Sequence, residues 1–517
     1  MAGGDRSGSA AAVTDHGAYR LTIMPNQPPE REDGPSGAPD ARRTWTRPAA
    51  VAGLVAGIAL AAVLVGSVVS GGLAGGPAAV SPSATMQPVA IATTGLSVGP
   101  TGPFVSPAVA PSLATPATEA PATAATTPTS TPTTPTPGPT AAAPTPASPA
   151  ADPTQVTPAL AARLDTRLKA LLKSSGIPGV SAAIVWDDGR RWSGAAGSAD
   201  ISTATAMTTD TAFAFASVSK TLTAAVVLQL VGEGKLALDQ PVARLLPAFA
   251  LDPRITVRML LDHTSGLPDF FLNPKIDKAL RARPDTAWTA LRAWSYVPAK
   301  HAVPGKSWNY SNTNYMLLGE LVEAVTGHPL AVEVRSRLLD PLKLRTAWFQ
   351  VAEEPRADGA IGYRRVAKAG GGFRYGPVAP GSDVMPFRSV VTAAGGAGSI
   401  AATALDAALW MRAFAGGDVL PADMQAAMIG DVAATKALGA KIPYGLGIQE
   451  VPLDGRRALG HSGRYLGFRN VVRYVPAAGV TIAVMTNQGT YDPAKIATSL
   501  LRIVAPKPTV APASPAP

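Results

Sequence analysis

The sequence contains no cysteine. That absence removes structural disulfides, thiolate zinc sites, iron–sulfur ligation and a cysteine nucleophile together. Histidine is scarce, five in 517 residues. His301 and His328 stand alone, without metal-ligand spacing to a partner, so no metal and no cofactor are expected. Charge is thin, at 15% of residues, and unevenly placed. Residues 1–48 hold six basic and six acidic side chains, and Glu119 and Asp152 are the only charges from Ala49 to Val156. The net +10 therefore sits on the C-terminal block. It fits either attraction to anionic polymers and phospholipid or a basic surface that keeps the domain dispersed. With no lysine/arginine run and no aromatic–basic interleaving, nucleic acid is not an expected partner.

Proline, by contrast, is abundant: fifty residues, roughly twice the usual share. They crowd the region from about Gly76 to Thr157 and the tail after Pro506. The expected organisation follows. Residues 1–48, rich in Pro, Gly, Asp and Arg without apolar periodicity, read as a disordered tail. Residues 49–70 have neither charge nor proline. As a helix they would span roughly 33 Å, enough to cross a bilayer. Arg42, Arg43 and Arg47 precede this span, which places the N-terminus in the cytoplasm and the remainder outside the cell, on a single-pass anchor. A cleaved signal peptide competes, but its leader should be shorter. Residues 71–157 read as a semi-stiff polyproline spacer. Residues 158–505 form the globular block, and 506–517 a disordered end.

The block opens with an amphipathic helix stopping at Gly176. Two strands about Asp187-Asp188-Gly189 read as a hairpin. Ser217 to Glu233 is a helix, and helical segments with loops follow to about Asp383. YGLGIQEV, RRALGH, RNVVRYV and VTIAVMTN read as successive antiparallel strands, closed by a helix over Ala494–Val504. The order of helix, hairpin, helical insertion, strands and final helix predicts an α+β domain, an antiparallel sheet flanked by helices whose first and last strands come together, with a helical lobe.

Three short motifs carry chemistry. In Ser217-Val218-Ser219-Lys220, residues three apart share one helix face, which sets an amine beside a hydroxyl. A desolvated lysine can take the proton that keeps serine a weak nucleophile. Among fourteen lysines only Lys220 has a serine three positions before it. In Tyr310-Ser311-Asn312, the phenol can relay a proton and the amide can hold a carbonyl. In His461-Ser462-Gly463, glycine allows close backbone approach, and the polar pair could meet a carboxylate or a leaving group. Each motif alone is weak. Gly95-Leu96-Ser97-Val98-Gly99 copies a hydrolase elbow but lacks the flanking strand and helix. His263, in DHTSGLP, reads as structural.

Taken in order, the three motifs resemble the active-site elements of the serine β-lactamase and DD-peptidase superfamily, in the branch of class C β-lactamases, family S12 DD-carboxypeptidases and related esterases. RMLLDHTSGLPDF, YSNTNYMLLGELVEAVTG, AAGGAGSIAATALDAALWM and YGLGI fit the same style. The resemblance spans roughly Leu160 to Ile503 and implies a β-lactamase/transpeptidase-like fold. It implies Ser217 as acylated nucleophile, with Lys220 and Tyr310 sharing acid/base work, the base among them left open. Asn312 would position the substrate amide, and His461 and Ser462 would face a carboxylate or assist proton transfer. The backbone N–H groups of Ser217 and Arg464, with Gly463 between the strands, would form the oxyanion hole. His461-Ser462 replaces the commoner Lys-Thr and leans away from β-lactamase toward peptidase or esterase. The expected protein is thus a monomeric, membrane-tethered carboxypeptidase acting on D-alanyl-D-alanine-type cell-wall peptide or another small acyl substrate. A β-lactamase or small-ester esterase is the alternative. A catalytically silent wall-peptide sensor or a structural stalk protein would belong to another class.

Overall fold

The computed structural model describes residues 154–379 and 382–506. The leader, the apolar span, nearly all of the spacer, the C-terminal tail and the Gly95–Gly99 sequence lie outside them. Helix α1 (Pro158–Ser175) starts at Thr157, whose hydroxyl accepts from the Leu160 N–H, and stops at Gly176 in a left-handed conformation. Strands β1 (Gly179–Trp186) and β2 (Arg191–Asp200) form the expected hairpin, and β3 (Thr205–Ala206) extends it. Helix α2 (Ser219–Gly232) follows a tight 3-10 turn, Ala216–Val218. Helices α3 (Asn312–Thr326), α4 (Ala404–Gly416) and α5 (Ala422–Ala437) come next. Then come β4 (Gln449–Glu450), β5 (Leu459–Tyr465), β6 (Phe468–Val475), β7 (Val480–Thr486) and closing helix α6 (Ala494–Val504).

The main sheet runs β3-β2-β1-β7-β6-β5-β4, every neighbour antiparallel. First and last strands therefore meet at its centre. β7 is buried at every position, as a strand covered on both faces must be, and reads as a continuous apolar run. One face packs on α1 and α6 through Leu164, Leu168, Ile496 and Leu500. Each large side chain buried there contributes on the order of 1.5–3 kcal/mol. The other face carries α4 and the helical lobe containing α2 and α3.

Two expectations change. YGLGIQEV is a strand only at Gln449–Glu450. Gly445 sits where a Cβ would lie 2.1 Å from the Met428 carbonyl, and Gly447 has φ +87°, so these glycines serve a close approach and a turn. The membrane placement is also corrected. Residues 49–70 lie outside the described residues, and among these no helix is long and apolar enough to cross a membrane. The longest, α1, has 18 residues and carries Arg163, Asp165, Arg167, Lys169 and Lys173. Each such charge would cost about 2.5–3.5 kcal/mol at a bilayer centre. The single-pass localisation does not stand.

Candidate active site

A short strand, Phe213–Ala214, leads into Ala216, whose φ of +49° is strained for a residue with a Cβ. This kink turns the chain so that Ser217 opens the helical run. Strand β5 closes against it. A Cβ on Gly463 would lie 2.1 Å from the Phe215 carbonyl, so only glycine allows the third motif to reach the first. Asn470 on β6 adds a bond from its Nδ2 to the Ala214 carbonyl, 2.6 Å.

Lys220 is fully buried. Its Nζ lies 3.2 Å from Ser217 Oγ, 2.7 Å from Asn312 Oδ1 and 2.9 Å from the Ala397 carbonyl. Two of these partners can only accept. A neutral amine has two N–H donors and one lone pair, so it satisfies both acceptors and turns the lone pair toward the Ser217 hydroxyl. Burial favours that form and brings the amine down to about 7, against an opposing pull from Asp269.

Asp269 completes the group and carries no motif signal of its own. Its Oδ2 accepts from Asn312 Nδ2 at 2.7 Å and its Oδ1 from the Phe271 N–H at 3.0 Å. Burial lifts the carboxyl to about 6, against those bonds and the Lys220 charge. Both ends of the Asn312 amide are therefore held by protein groups, the carbonyl by Lys220 and the NH₂ by Asp269. Tyr310 is half-buried, with Lys220 Nζ 5.1 Å from its ring centroid. Burial, with Tyr444 nearby, pushes its phenol well above the ordinary value while the Ser217 hydroxyl opposes the shift. It stays protonated at neutral pH. Beside Tyr310 opens a groove of about 570 Å³, lined by Leu267, Asp269, Leu272, Pro298 and Asn309.

His461 is fully buried, and its ring lies 6.5 Å from Tyr310 between centroids. Nδ1 sits 2.7 Å from the Ser462 carbonyl and must carry the proton, while Nε2 lies 3.0 Å from the Tyr444 hydroxyl and accepts from it. Burial, then the Lys220 charge, hold the imidazole well below its ordinary value, so it is neutral. Ser462 donates from backbone and hydroxyl to Gln449 Oε1, both at 3.2 Å. The Arg464 side chain is half-buried and makes no hydrogen bond or ion pair with any described residue. The structure thus gathers Ser217, Lys220, Tyr310, Asn312 and His461 into one cluster, with Ser462, Gly463 and Arg464 along its β5 side.

His263 shapes this cluster from beneath. Its Nδ1 accepts from the Ser311 N–H at 3.2 Å, and its ring lies 4.3 Å from Tyr310 and 4.7 Å from Tyr444. His301 contacts only a neighbouring carbonyl, and His328 pairs with Glu333. Next to His263, Asp262 accepts from the Thr264 N–H and hydroxyl at 2.9 and 2.6 Å. Burial, reinforced by the Asp431 carboxyl on α5, pushes Asp262 up to about 8 from an ordinary 3.8. A proton on Asp262 also serves Asp431 Oδ2, which is buried and otherwise unpartnered. The folded state binds this proton and the unfolded state releases it above about pH 4, so the stabilisation is complete below that and lost as pH rises through about 8. Thermal midpoints of the parent should therefore decline between pH 5 and 8. In Asp262→Asn, whose amide copies the protonated carboxyl, the slope should flatten; parallel slopes would refute the shared proton.

The Beta-lactamase family profile matches residues 164–505. Esterase EstB of Burkholderia gladioli is 35% identical over 212 residues, covering 38% of this chain and 54% of its own, so the chain spans about half the length of that relative. Penicillin-binding protein 4 of Amycolatopsis lactamdurans is 32% identical over 344 residues, 63% of this chain and 85% of that protein. A solved D-stereospecific amidohydrolase from Streptomyces sp. superposes with a TM-score of 0.55 at 27% identity, covering 67% of this chain and 98% of that one.

Proposed function

The chain belongs to the Beta-lactamase family of serine hydrolases, and from that premise we propose that it cleaves amide or ester bonds of D-configured acyl substrates through an acyl-enzyme on Ser217, D-alanyl-D-alanine-type carboxypeptidase activity being one form, in keeping with the likeness to penicillin-binding protein 4. One observation carries the reading: buried Lys220 lies 3.2 Å from Ser217 Oγ and has two other partners that can only accept, so its neutral form, which burial favours, leaves its lone pair for the Ser217 hydroxyl. Neutral Lys220 takes the Ser217 proton as Oγ adds to the substrate carbonyl. Tyr310, held as a phenol, is the better donor than base and hands its proton to the leaving nitrogen or oxygen. It is then reprotonated from Lys220. The C–N or C–O bond breaks, Ser217 holds the acyl group, and water releases it by the reverse proton route.

The developing oxyanion falls to the Ser217 and Arg464 N–H groups. Strand N–H groups alternate between edges, and the Ser462 N–H already points outward to Gln449. The Arg464 N–H, two residues on, therefore shares that outer edge. D-selectivity is supported by the likeness to the Streptomyces amidohydrolase. A small-ester reading is favoured by the EstB match and by the neutral His461, which offers no charge to a carboxylate. A silent sensor would not need a lysine desolvated to a working pKa.

The test is D-alanine release from a diacyl-lysyl-D-Ala-D-Ala peptide by the full chain, run beside D- and L-amino acid amides and phenyl esters. Intact-mass spectrometry with peptide mapping should find a transient acyl adduct on the peptide bearing Ser217. Folded protein that cleaves no D-configured substrate and takes up no acyl group would overturn the proposal.

A further inference from the structure

A second cavity, of about 470 Å³, opens in the helical lobe, and none of Ser217, Lys220, Tyr310, Asn312 or His461 lines it. It shares two elements with the catalytic cluster. Helix α3 gives Asn312 to the cluster at its start and Met316, Gly319, Glu320 and Glu323 to the cavity further along. Residues three and four apart share a helix face, so one stripe of α3 serves both, and Glu320 lies roughly 12 Å along the axis from Asn312. The turn Gly395–Ala397 is the common wall. Its Ala397 carbonyl accepts from Lys220, while Gly395 and Gly396 line the cavity. A Cβ on Gly396 would lie 2.6 Å from the Tyr315 carbonyl, so only glycine lets this turn lie against α3.

The rest of the lining is mainly apolar, with Trp288, Leu291, Leu330, Phe349 and Val351. Its shape is held in place. The Gln350 side chain exchanges two bonds with the Met385 backbone, 2.9 and 3.1 Å, and the Phe349 N–H donates to Glu353 Oε2 at 2.6 Å. Within this pinned loop Val351 takes a φ of +74°, an outlier for a β-branched residue. Such strain persists only where the surroundings impose it, and it gathers at ligand clamps.

The charge of the cavity runs against that of the chain. The sequence carries a net +10, yet among the described residues the charged side chains lining the cavity are Glu320 and Glu323. Set three apart on one helix, two carboxylates repel. Glu323 Oε1 accepts from the Leu330 N–H at 3.0 Å. Glu320 is half-buried and makes no hydrogen bond or ion pair with any described residue. Burial, and then the Glu323 charge, raise its carboxyl above the ordinary value. The hydroxyls around it are engaged: Thr289 accepts from the Arg292 N–H, Thr392 donates to the Arg388 carbonyl, and Ser399 to those of Val391 and Gly395. Arg292 lies over the Trp288 ring, 4.0 Å from its centroid, and pairs with no described carboxylate.

We propose that this cavity is a second ligand site, apart from the acyl-transfer site, that takes an amphipathic primary amine, with its ammonium on Glu320 beside Glu323 and its apolar body among Leu291, Leu330 and Phe349. The ammonium supplies the carboxylate with a charged donor and relieves the repulsion along α3. The apolar body is drawn in by the surface it removes from water. At about 470 Å³ the chamber has the size of small-molecule sites.

Calorimetry on the full chain compares 4-phenylbutylamine with 4-phenylbutanol, which differ in the charged group. The amine should bind about tenfold more tightly than the alcohol. Glu320→Gln keeps the size of the side chain and removes the repulsion, so the amine should fall to the affinity of the alcohol while the thermal midpoint holds or rises. Ala352→Trp, at the exposed rim of the cavity, should weaken both ligands. An amine that binds no better than the alcohol to the parent, or keeps its advantage in folded Glu320→Gln, would overturn the site, as would full binding of both ligands to Ala352→Trp. With a chromogenic ester as substrate, the amine should leave KM unchanged. Competitive inhibition with a constant equal to the calorimetric Kd would put the amine in the catalytic groove and refute the second site. The binding measurements decide the proposal whether or not Ser217 is acylated.

Discussion

Lys220→Met should slow acylation of Ser217 by about 10³-fold or more, and Lys220→Arg should be nearly as slow. Methionine fills much of the same buried volume but leaves the Asn312 and Ala397 acceptors without their donor, so the thermal midpoint is measured beside the rate to confirm that the variant is folded. What it removes is the lone pair beside Ser217 Oγ. Arginine separates the two roles a cation could play. It keeps a positive charge next to the serine but never gives up its proton. If Lys220 acted only by electrostatic support, Lys220→Arg would keep activity within about tenfold of the parent. Burst kinetics with a chromogenic ester, read as the single-turnover acylation rate, distinguish the cases, and Ser217→Ala should show no adduct. The pH profile adds a check: parent kcat/KM should rise through about pH 7 as Lys220 loses its proton. A profile flat from pH 5 to 9 would place the base elsewhere.

The features legible in the sequence are those written at short range. Ser217 and Lys220 are three residues apart, and helical geometry alone sets them side by side. The Asp187–Gly189 hairpin and the closing helix follow from local turn residues and apolar spacing. The meeting of the first and last strands came from element order, and β1 does pair with β7. The remainder depends on contacts between distant segments. Asp269 reaches Asn312 across 43 positions, and Arg473 reaches Gln449 across 24 positions and two strand boundaries. An aspartate within apolar surroundings, as in GLPDF, is the one hint the sequence offered for Asp269, because a carboxylate is seldom buried without a task. Arg473 gives a similar hint, since it interrupts an apolar strand, but a strand arginine ordinarily faces solvent. Gly445 and Gly447 misled the strand assignment because a close approach to Met428 cannot be read from the residues around it.

Asp269→Asn should cut acylation by about 10²-fold and move the acid limb of the profile to lower pH, and the second effect is the diagnostic one. Asp269 offers two oxygens to two donors, the Phe271 N–H and Asn312 Nδ2. An asparagine there has one oxygen and one NH₂, so one donor must face another. Asn312 relieves the clash by turning over, which directs its own NH₂ at Lys220. Lys220 can meet that donor only with its lone pair, the one Ser217 needs. The charge change works in addition. Asp269 holds the Lys220 pKa up against burial, and without it the neutral amine persists to lower pH. The limb therefore shifts downward while the plateau falls. A carboxylate that merely supported the loop would lower the plateau and leave the limb near pH 7. A limb that stays in place in a folded Asp269→Asn protein would thus sever Asp269 from Lys220, and an unchanged plateau would show that Asn312 does not turn.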